Sequence, residues 1–310
     1  MGTFLQQIVN GLVAGSLYAL VALGYTMVYG ILGLINFAHG EVLMVGALVA
    51  LSVIAYVIAA FPGLNGIVVL AIGMLAAMPV CMVLGYLIER LAYRPLRNAP
   101  RLAPLITAIG VSFFLQVLAM IVWGRGYHTF PQLIPTSPLQ LVEGVFISPV
   151  QITTIALSAL MMVGLMVLVN KTKLGRAMRA TAENHRVAGL MGVDANAIIS
   201  ATFIIASALA AVAGVMYASN FGIAHYAMGS IPGLKAFTAA VLGGIGNLAG
   251  AVVGGIMLGL IESIGAGYLE PLTLGILNSS YQDIFAFMAL ILALVFRPSG
   301  LLGERVADRA

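Results

Sequence analysis

The residues of this sequence that could carry chemistry are few and widely spaced. No G-x-x-x-x-G-K-[ST] phosphate loop occurs, so we do not expect the chain to bind ATP through that motif. The stretch from Gly244 to Ala249 matches the loose dinucleotide pattern, but it follows no soluble strand. The histidines form no metal-spaced pair: His39, His128, His185 and His225. We therefore expect no catalytic centre, no metal and no cofactor.

Polar residues inside long apolar runs form the first candidate set. We interpret five of them as candidates to line a translocation path: Asn36, His39, Glu41, Asn247 and Glu262. An ionisable group at membrane depth costs about 2.5 to 3.5 kcal/mol on insertion scales, so it normally faces protein or a watery cavity. Structural capping is the alternative, because Glu41 and Asn36 stand near a predicted helix start. Lys235, a lone cation beside an apolar run, is expected to snorkel to the membrane surface.

The polar segment 171–194 is the second candidate, since it lies between two apolar runs and has the pattern of a helix. Charged side chains recur along it at helical spacing: Arg176, Arg179, Glu183 and Arg186. Arg179 and Glu183 are four residues apart and could pair. Gly189 and Gly192 are predicted to end or bend the helix. Such a helix suits docking into a groove on a soluble partner, and an ordinary positive loop is the alternative.

Composition shows which elements must position these residues. Apolar residues make up 62% of the chain, against 14 Lys and Arg and 10 Asp and Glu among 310 residues. Since about 20 apolar residues cross a bilayer as a helix, the charge-free runs predict roughly seven to ten spans. We expect an all-α polytopic integral membrane helical bundle with about 8 transmembrane segments. The spans are predicted near residues 10–29, 41–60, 67–88, 105–123, 150–169, 198–219, 248–264 and 276–296.

Positive charge predicts the orientation of the spans, because Lys and Arg in short loops stay in the cytoplasm. Three groups are assigned there: Arg90, Arg94, Arg97 and Arg101; Lys171, Lys173, Arg176, Arg179 and Arg186; Arg297, Arg305 and Arg309. Residues 1–310 are thus interpreted as a single transmembrane domain with cytoplasmic loops at about 89–104 and 170–197 and an external segment at about 124–149. An even number of spans puts the amino terminus outside and the carboxyl-terminal tail there too. A re-entrant or doubly crossing segment between Lys235 and Gly250 would return the tail to the cytoplasm.

Glycines mark a faint internal repeat. The run from Gly33 to Gly40 resembles the run from Gly244 to Gly250, and each leads into a glycine-containing helix. Helix-breaking glycines at matching places in two halves indicate a substrate path, although chance similarity between glycine-rich segments is the alternative. Small residues also recur four apart, which favours close contact between helices: Gly246, Gly250 and Gly254, then Gly255 and Gly259.

Several stretches across nearly the whole chain carry a resemblance to a known family. They are Tyr18–Gly30, Ile35–Glu41, Glu89–Arg97, Leu174–Val193, Lys235–Gly246 and Arg297–Gly303. The sequence in these stretches resembles the branched-chain amino acid permeases of ABC importers, the LivH type. The stretch Leu174–Val193 looks like the coupling loop that seats in a cleft of the ATPase subunit. It departs from the family pattern at Asn184, where an acid is expected, and it has no literal Glu-Ala-Ala.

The resemblance implies a function and a set of partners. The chain would be the permease subunit of an amino-acid importer in the bacterial inner membrane. Leucine, isoleucine and valine are the expected substrates, and other amino acids, amides or urea are the alternatives. ATP hydrolysis would belong to separate subunits. Implied partners are a second, LivM-like permease, two ATP-binding cassette subunits, a periplasmic or lipid-anchored amino-acid-binding protein and membrane lipid, with no nucleic acid. The resemblance places the coupling positions at Gly175, Arg176, Arg179, Ala182, Glu183, Arg186, Ala188 and Gly192.

Two functions from other classes are alternatives. An ion-driven secondary transporter would need an intramembrane carboxylate whose protonation tracks transport, and Glu41 and Glu262 are the candidates. An integral membrane enzyme would need a nucleophile, base or metal ligands at one depth, and the sequence has no such cluster.

Overall fold

The fold is known from a computed structural model that describes residues 2–97, 99–100, 102–135, 137–273, 281–297 and 299–303. Three of the positive residues used above, Arg101, Arg305 and Arg309, lie outside the described residues, as does Pro298. The helices are α1 (Gly2–Leu32), α2 (His39–Ala60), α3 (Gly66–Leu87), α4 (Leu102–Trp123), α5 (Pro149–Lys171), α6 (Lys173–Glu183), α7 (His185–Leu190), α8 (Ala195–Phe221), α9 (Ser230–Gly243), α10 (Leu248–Leu272) and α11 (Gln282–Phe296). A π-helical turn (Ile88–Tyr93) and a 3₁₀ turn (Arg94–Leu96) continue α3.

Helix length and apolar composition confirm the predicted fold class. Seven helices of the described chain are long and apolar enough to cross a membrane, and α11 is a shorter apolar helix. α9 has 14 residues and ends at Gly243, before a turn in which Gly244 and Gly246 have φ of +107° and +99°. At 1.5 Å per residue α9 is about 21 Å long, shorter than the roughly 30 Å hydrocarbon layer. The predicted glycine break is confirmed, and the re-entrant path remains a prediction.

The chain forms two compact units. Unit 1 is Met1–Thr26, Thr136–Met162 and Lys235–Ala310, and unit 2 is Met27–Pro135 and Val163–Leu234. A single permease domain over residues 1–310 remains a prediction, as do the sides of the membrane assigned to the loops.

Unit 1 is held together by glycine contacts between helices. A Cβ added to Gly15 of α1 would lie 2.8 Å from the Cα of Ile256 in α10. Gly255 and Gly259 face α1 just as closely, and Gly254 contacts the backbone of Ala239 in α9. The predicted small-residue spacing therefore does bring helix backbones together. In the segment predicted to be external, β2 (Leu139–Val142) and β3 (Val145–Ile147) form an antiparallel hairpin.

Unit 2 has α2, α3 and α8 at its centre. A Cβ on Gly46 of α2 would lie 2.7 Å from the Cα of Ala211 in α8, so these two helices also approach through a glycine. The only cysteine, Cys81 of α3, is fully buried, with its Sγ 3.6 Å from the carbonyl oxygen of Val42. Short strands β1 (His128–Thr129) and β4 (Ile223–Ala224) pair outside the helices.

Candidate functional site

The segment between α5 and α8 forms two helices rather than the one predicted. α6 begins after Thr172, whose Oγ1 accepts from the Gly175 N–H at 3.1 Å, and it ends at Glu183. Asn184 has extended backbone and begins α7, since its Oδ1 accepts from the N–H groups of Arg186 and Val187 at 3.0 and 3.1 Å. An aspartate could accept the same two bonds, which explains why Asn184 fits a position where an acid was expected. The break thus lies at Asn184, and α7 ends at Leu190, one residue after Gly189.

One further detail of this segment differs from prediction and another agrees with it. Arg179 does not pair with Glu183, because its guanidinium donates to the carbonyl oxygen of Val169 at the end of α5. Gly192 lies two residues after α7 with φ of +84°, in the left-handed region that disfavours other residues. Its predicted role as a terminator is therefore confirmed.

One face of the segment is buried and the other is exposed. Of the predicted coupling positions, Gly175 and Ala188 are buried, whereas the rest are exposed: Arg176, Arg179, Ala182, Glu183, Arg186 and Gly192. Leu190 is 87% exposed and Met191 is 80% exposed. These two side chains lie outside the long apolar helices. We call the exposed residues 176, 182–183, 186–187 and 190–192 the docking face.

A buried ionic cluster lies beside the first turns of α8, and sequence reasoning missed it. Glu89 is fully buried in the π-helical turn and binds Arg94, with Nη2 to Oε2 at 3.0 Å, and Arg97. Ser200 of α8 donates to Glu89 at 2.7 Å. The arginines were interpreted only as a positive loop. The sequence feature that could have indicated the cluster is Glu89, an acidic residue five positions before Arg94 and eight before Arg97.

The same cluster is joined to the end of the polar segment 171–194. Arg97 donates to Asn196 Oδ1 at 2.6 Å, and Asp194 accepts from the N–H groups of Asn196 and Ala197 to begin α8. Burial lowers the pKa of the Arg97 guanidinium, and the nearby charge of Glu89 opposes that effect.

Asn36 connects this region with the start of α2. Its Oδ1 accepts from the Tyr93 hydroxyl at 3.0 Å and from the Ala38 N–H at 3.1 Å. The residue before α2 is Ala38, which makes no side-chain cap, so Asn36 closes the turn ahead of the helix instead of capping it. The ring of Tyr93 also packs against Phe203 of α8, with centroids 5.4 Å apart.

Glu41 lies in the first turn of α2 and is only 1% exposed. One carboxylate oxygen, Oε1, accepts from Ser112 at 3.3 Å, Gln116 at 2.8 Å and Ser230 at 3.1 Å. His39, in the same turn, is buried as well. Unit 2 therefore brings three of the predicted path residues into one short stretch.

The other two predicted path residues lie far apart on α10. Asn247 begins the helix by accepting from the Gly250 N–H at 3.0 Å, and its amide donates to the carbonyl oxygen of Leu302 at 2.8 Å. Glu262 follows fifteen residues later, which is about 22 Å along a helix. The capping interpretation is thus confirmed for Asn247, and unit 1 does not bring it near Glu262.

Lys235 is the clearest correction in unit 1. It is 4% exposed and does not snorkel, because it forms ion pairs with Glu262 of α10 and with Asp283 of α11, the latter at 2.6 Å. Its ammonium also lies 5.7 Å from the centre of the Tyr18 ring. A buried cation needs such partners, and none of them is adjacent to it in sequence.

Comparison with known proteins matches the whole chain to one family. A family model described as branched-chain amino acid transport system, permease component, matches residues 7–294. The permease protein BraD of the high-affinity branched-chain amino acid transport system of Pseudomonas aeruginosa is 46% identical over 310 residues, covering 99% of this chain and 98% of that protein. The corresponding LivH protein of Escherichia coli is 41% identical over 313 residues, with 99% and 97% covered. A probable LivH of Methanocaldococcus jannaschii is 28% identical over 295 residues, with 95% and 91% covered.

Proposed function

The chain belongs to the family of branched-chain amino acid transport system permeases, and from that premise we propose that it carries leucine, isoleucine and valine into the bacterial cell. It is a multi-pass protein of the inner membrane. We assign ATP hydrolysis to two separate ATP-binding subunits, and we further propose a second, LivM-like permease and an external amino-acid-binding protein as partners.

The observation that carries this proposal is the docking face. Large apolar side chains that are 80 to 87% exposed outside the spans are costly in water and favourable in a protein groove. Arg176, Glu183 and Arg186 border them with charge, as expected at the rim of an interface. A short amphipathic helix pair of this kind suits a cleft on an ATP-binding subunit.

The mechanism is alternating access driven from this face. Closure of the ATP-binding subunits would displace residues 176–192, and the attached spans would tilt to open the path on one side and close it on the other. The docking face must bind the two states of the ATPase with different affinities, because a contact equally strong in both states shifts no equilibrium.

Contacts within unit 2 support transmission from the docking face to α2. Asp194 follows the segment directly and begins α8, whose first turns bind the Glu89 cluster through Asn196 and Ser200. The adjacent Tyr93 binds Asn36, which closes the turn before α2. We propose that this line of hydrogen bonds carries the displacement. Of the predicted path residues, we assign Asn36, His39 and Glu41 of unit 2 to the path, because Asn247 caps α10 and Glu262 is paired with Lys235.

The proposal is tested by Glu183→Ala and Gly192→Ala, measured by ATP-dependent uptake of labelled leucine in proteoliposomes that contain the complete assembly. Both variants are expected to abolish uptake while the protein remains in the membrane, because Glu183 lies on the docking face and Gly192 needs a positive φ. Gly124→Ala is the matched control, since Gly124 also has positive φ and open surroundings but lies outside the segment. Glu143→Ala controls for loss of an exposed acid.

Normal uptake in both variants would remove this segment from the mechanism. Uptake that survives complete ATP depletion but collapses with the proton gradient would instead indicate the ion-driven transporter.

A further inference from the structure

Glu41 differs from the other buried acids of the described chain. Three acidic residues there are buried: Glu41, Glu89 and Glu262. Glu89 is paired with two arginines and Glu262 with a lysine. Glu41 forms no ion pair within the described residues and accepts only from an amide and two hydroxyls. A buried carboxylate without a counter-charge costs several kcal/mol, so this position favours the arrival of a positive charge.

The second carboxylate oxygen of Glu41 is the unused acceptor. Oε2 is buried and has no hydrogen-bond partner within the described residues, although the side chain is 1% exposed. A Cβ on Gly229 would lie 3.0 Å from this oxygen, and a Cβ on Gly40 would lie 2.6 Å from the Gly229 carbonyl oxygen. The backbone of Gly229 therefore packs against both Oε2 and Gly40. Movement of Gly229 away from Gly40 and α2 would uncover Oε2.

Although Glu41 lies in the first turn of α2, its neighbours place it beside the middle of α4. Ser112 and Gln116 are the eleventh and fifteenth of the 22 residues of α4. They are therefore about 15 and 21 Å along a helix that crosses roughly 30 Å of hydrocarbon. A solute that passes α4 at this depth has left water, and any charge that it carries needs a partner.

We propose that Glu41 is the intramembrane site that receives the ammonium group of the transported amino acid. This inference rests on the proposed function. In the enclosed state the two glycine backbones exclude solute. Once Gly40 and Gly229 separate, Oε2 accepts from the ammonium. The hydroxyl oxygens of Ser112 and Ser230 and the amide oxygen of Gln116 supply further acceptors for its three N–H groups.

The test uses proteoliposomes that contain both permeases, the ATP-binding subunits and the binding protein, and measures leucine transported per ATP hydrolysed. Glu41→Gln preserves shape and removes the charge, so we expect this ratio to fall by at least about tenfold. Glu41→Asp keeps the charge on a shorter side chain, and we expect it to retain a clearly higher ratio than Glu41→Gln. Glu143→Gln, an exposed acid in the β2–β3 turn, is the matched control. Each variant is compared at equal amounts of assembled complex.

Three outcomes would overturn the inference. A wild-type ratio in Glu41→Gln would show that the charge is not used. An equal fall in both Glu41 variants would show that shape, not charge, is required. ATP-dependent uptake in the wild type that also requires an imposed sodium or proton gradient, with that requirement lost in Glu41→Gln, would assign the positive charge to an inorganic cation. Absence of ATP-dependent uptake in the wild type would remove the proposed function, and this inference with it, whereas the first three outcomes leave that function standing.

Discussion

Two segments with similar sequence patterns, 33–41 in unit 2 and 244–262 in unit 1, place a carboxylate inside the protein in opposite ways. Each has a glycine with positive φ and an asparagine that accepts a backbone N–H before a helix begins. Glu41 then meets only neutral donors. Glu262 meets Lys235, which also binds Asp283, so α9, α10 and α11 are joined by one ammonium group.

The difference shows that a buried charge has two uses in this chain. An acid saturated by a fixed cation ties helices together and has little affinity left for a solute. An acid held by neutral donors is costly to bury as an anion, and that cost is relieved when a positive charge arrives. Stability measurements should therefore separate the two sites clearly.

The largest effect is expected from Lys235→Met. The substitution leaves Glu262 buried without its cation, and breaking a buried ion pair from one side costs about 3 to 5 kcal/mol. Reversible unfolding in mixed micelles measures the free energy of unfolding. Lys173→Met, an exposed lysine at the start of α6, is the control and should change it by less than about 0.5 kcal/mol.

A second variant checks the cause of that loss. Lys235→Met combined with Glu262→Met should recover much of the stability, because both buried charges are then gone and only the partly exposed Asp283 is left without its partner. A loss below about 1 kcal/mol in Lys235→Met would show that the ion pairs do not hold the three helices.

An intermediate effect is expected from Tyr93→Phe, which removes the hydrogen bond to Asn36 in segment 33–41. Loss of the hydroxyl removes one hydrogen bond, worth about 1 kcal/mol, and leaves the ring against Phe203. Leucine uptake at fixed ATP hydrolysis should fall several-fold if this bond carries displacement to α2. Tyr127→Phe, an exposed tyrosine, should transport normally. Equal uptake in the two variants would show that the Tyr93 hydroxyl does not carry the displacement to α2.

The smallest loss of stability is expected from Glu41→Gln. No ion pair is lost, and the amide oxygen of glutamine can accept from the same donors, so the free energy of unfolding should fall by no more than about 1 kcal/mol. Removal of the buried charge acts in the opposite direction and raises it. The same unfolding measurement applies. Destabilisation comparable to that of Lys235→Met would contradict the comparison, because it would mean that Glu41 has a fixed counter-charge.

Much of the fold could be predicted from local sequence. The spans, the small-residue spacing on α10, the Asn247 cap and the terminating Gly192 all depend on nearby residues, and each agrees with the structure. The predictions that were wrong concerned partners. Lys235 was expected at the membrane surface and Arg179 beside Glu183, and both side chains instead bind groups on other helices.

The sequence alone determined that this chain is a helical membrane protein of its family, since apolar runs of span length can satisfy their backbone groups only as closed helices. Tertiary structure decided which buried charges are neutralised. Ser200 donates to Glu89 across 111 residues, and Ser230 donates to Glu41 across 189. The helical period determines which side chains three or four residues apart meet on one helix. The Glu89 and Glu41 contacts form only when distant helices pack together. The free energy of each buried charge depends on that packing.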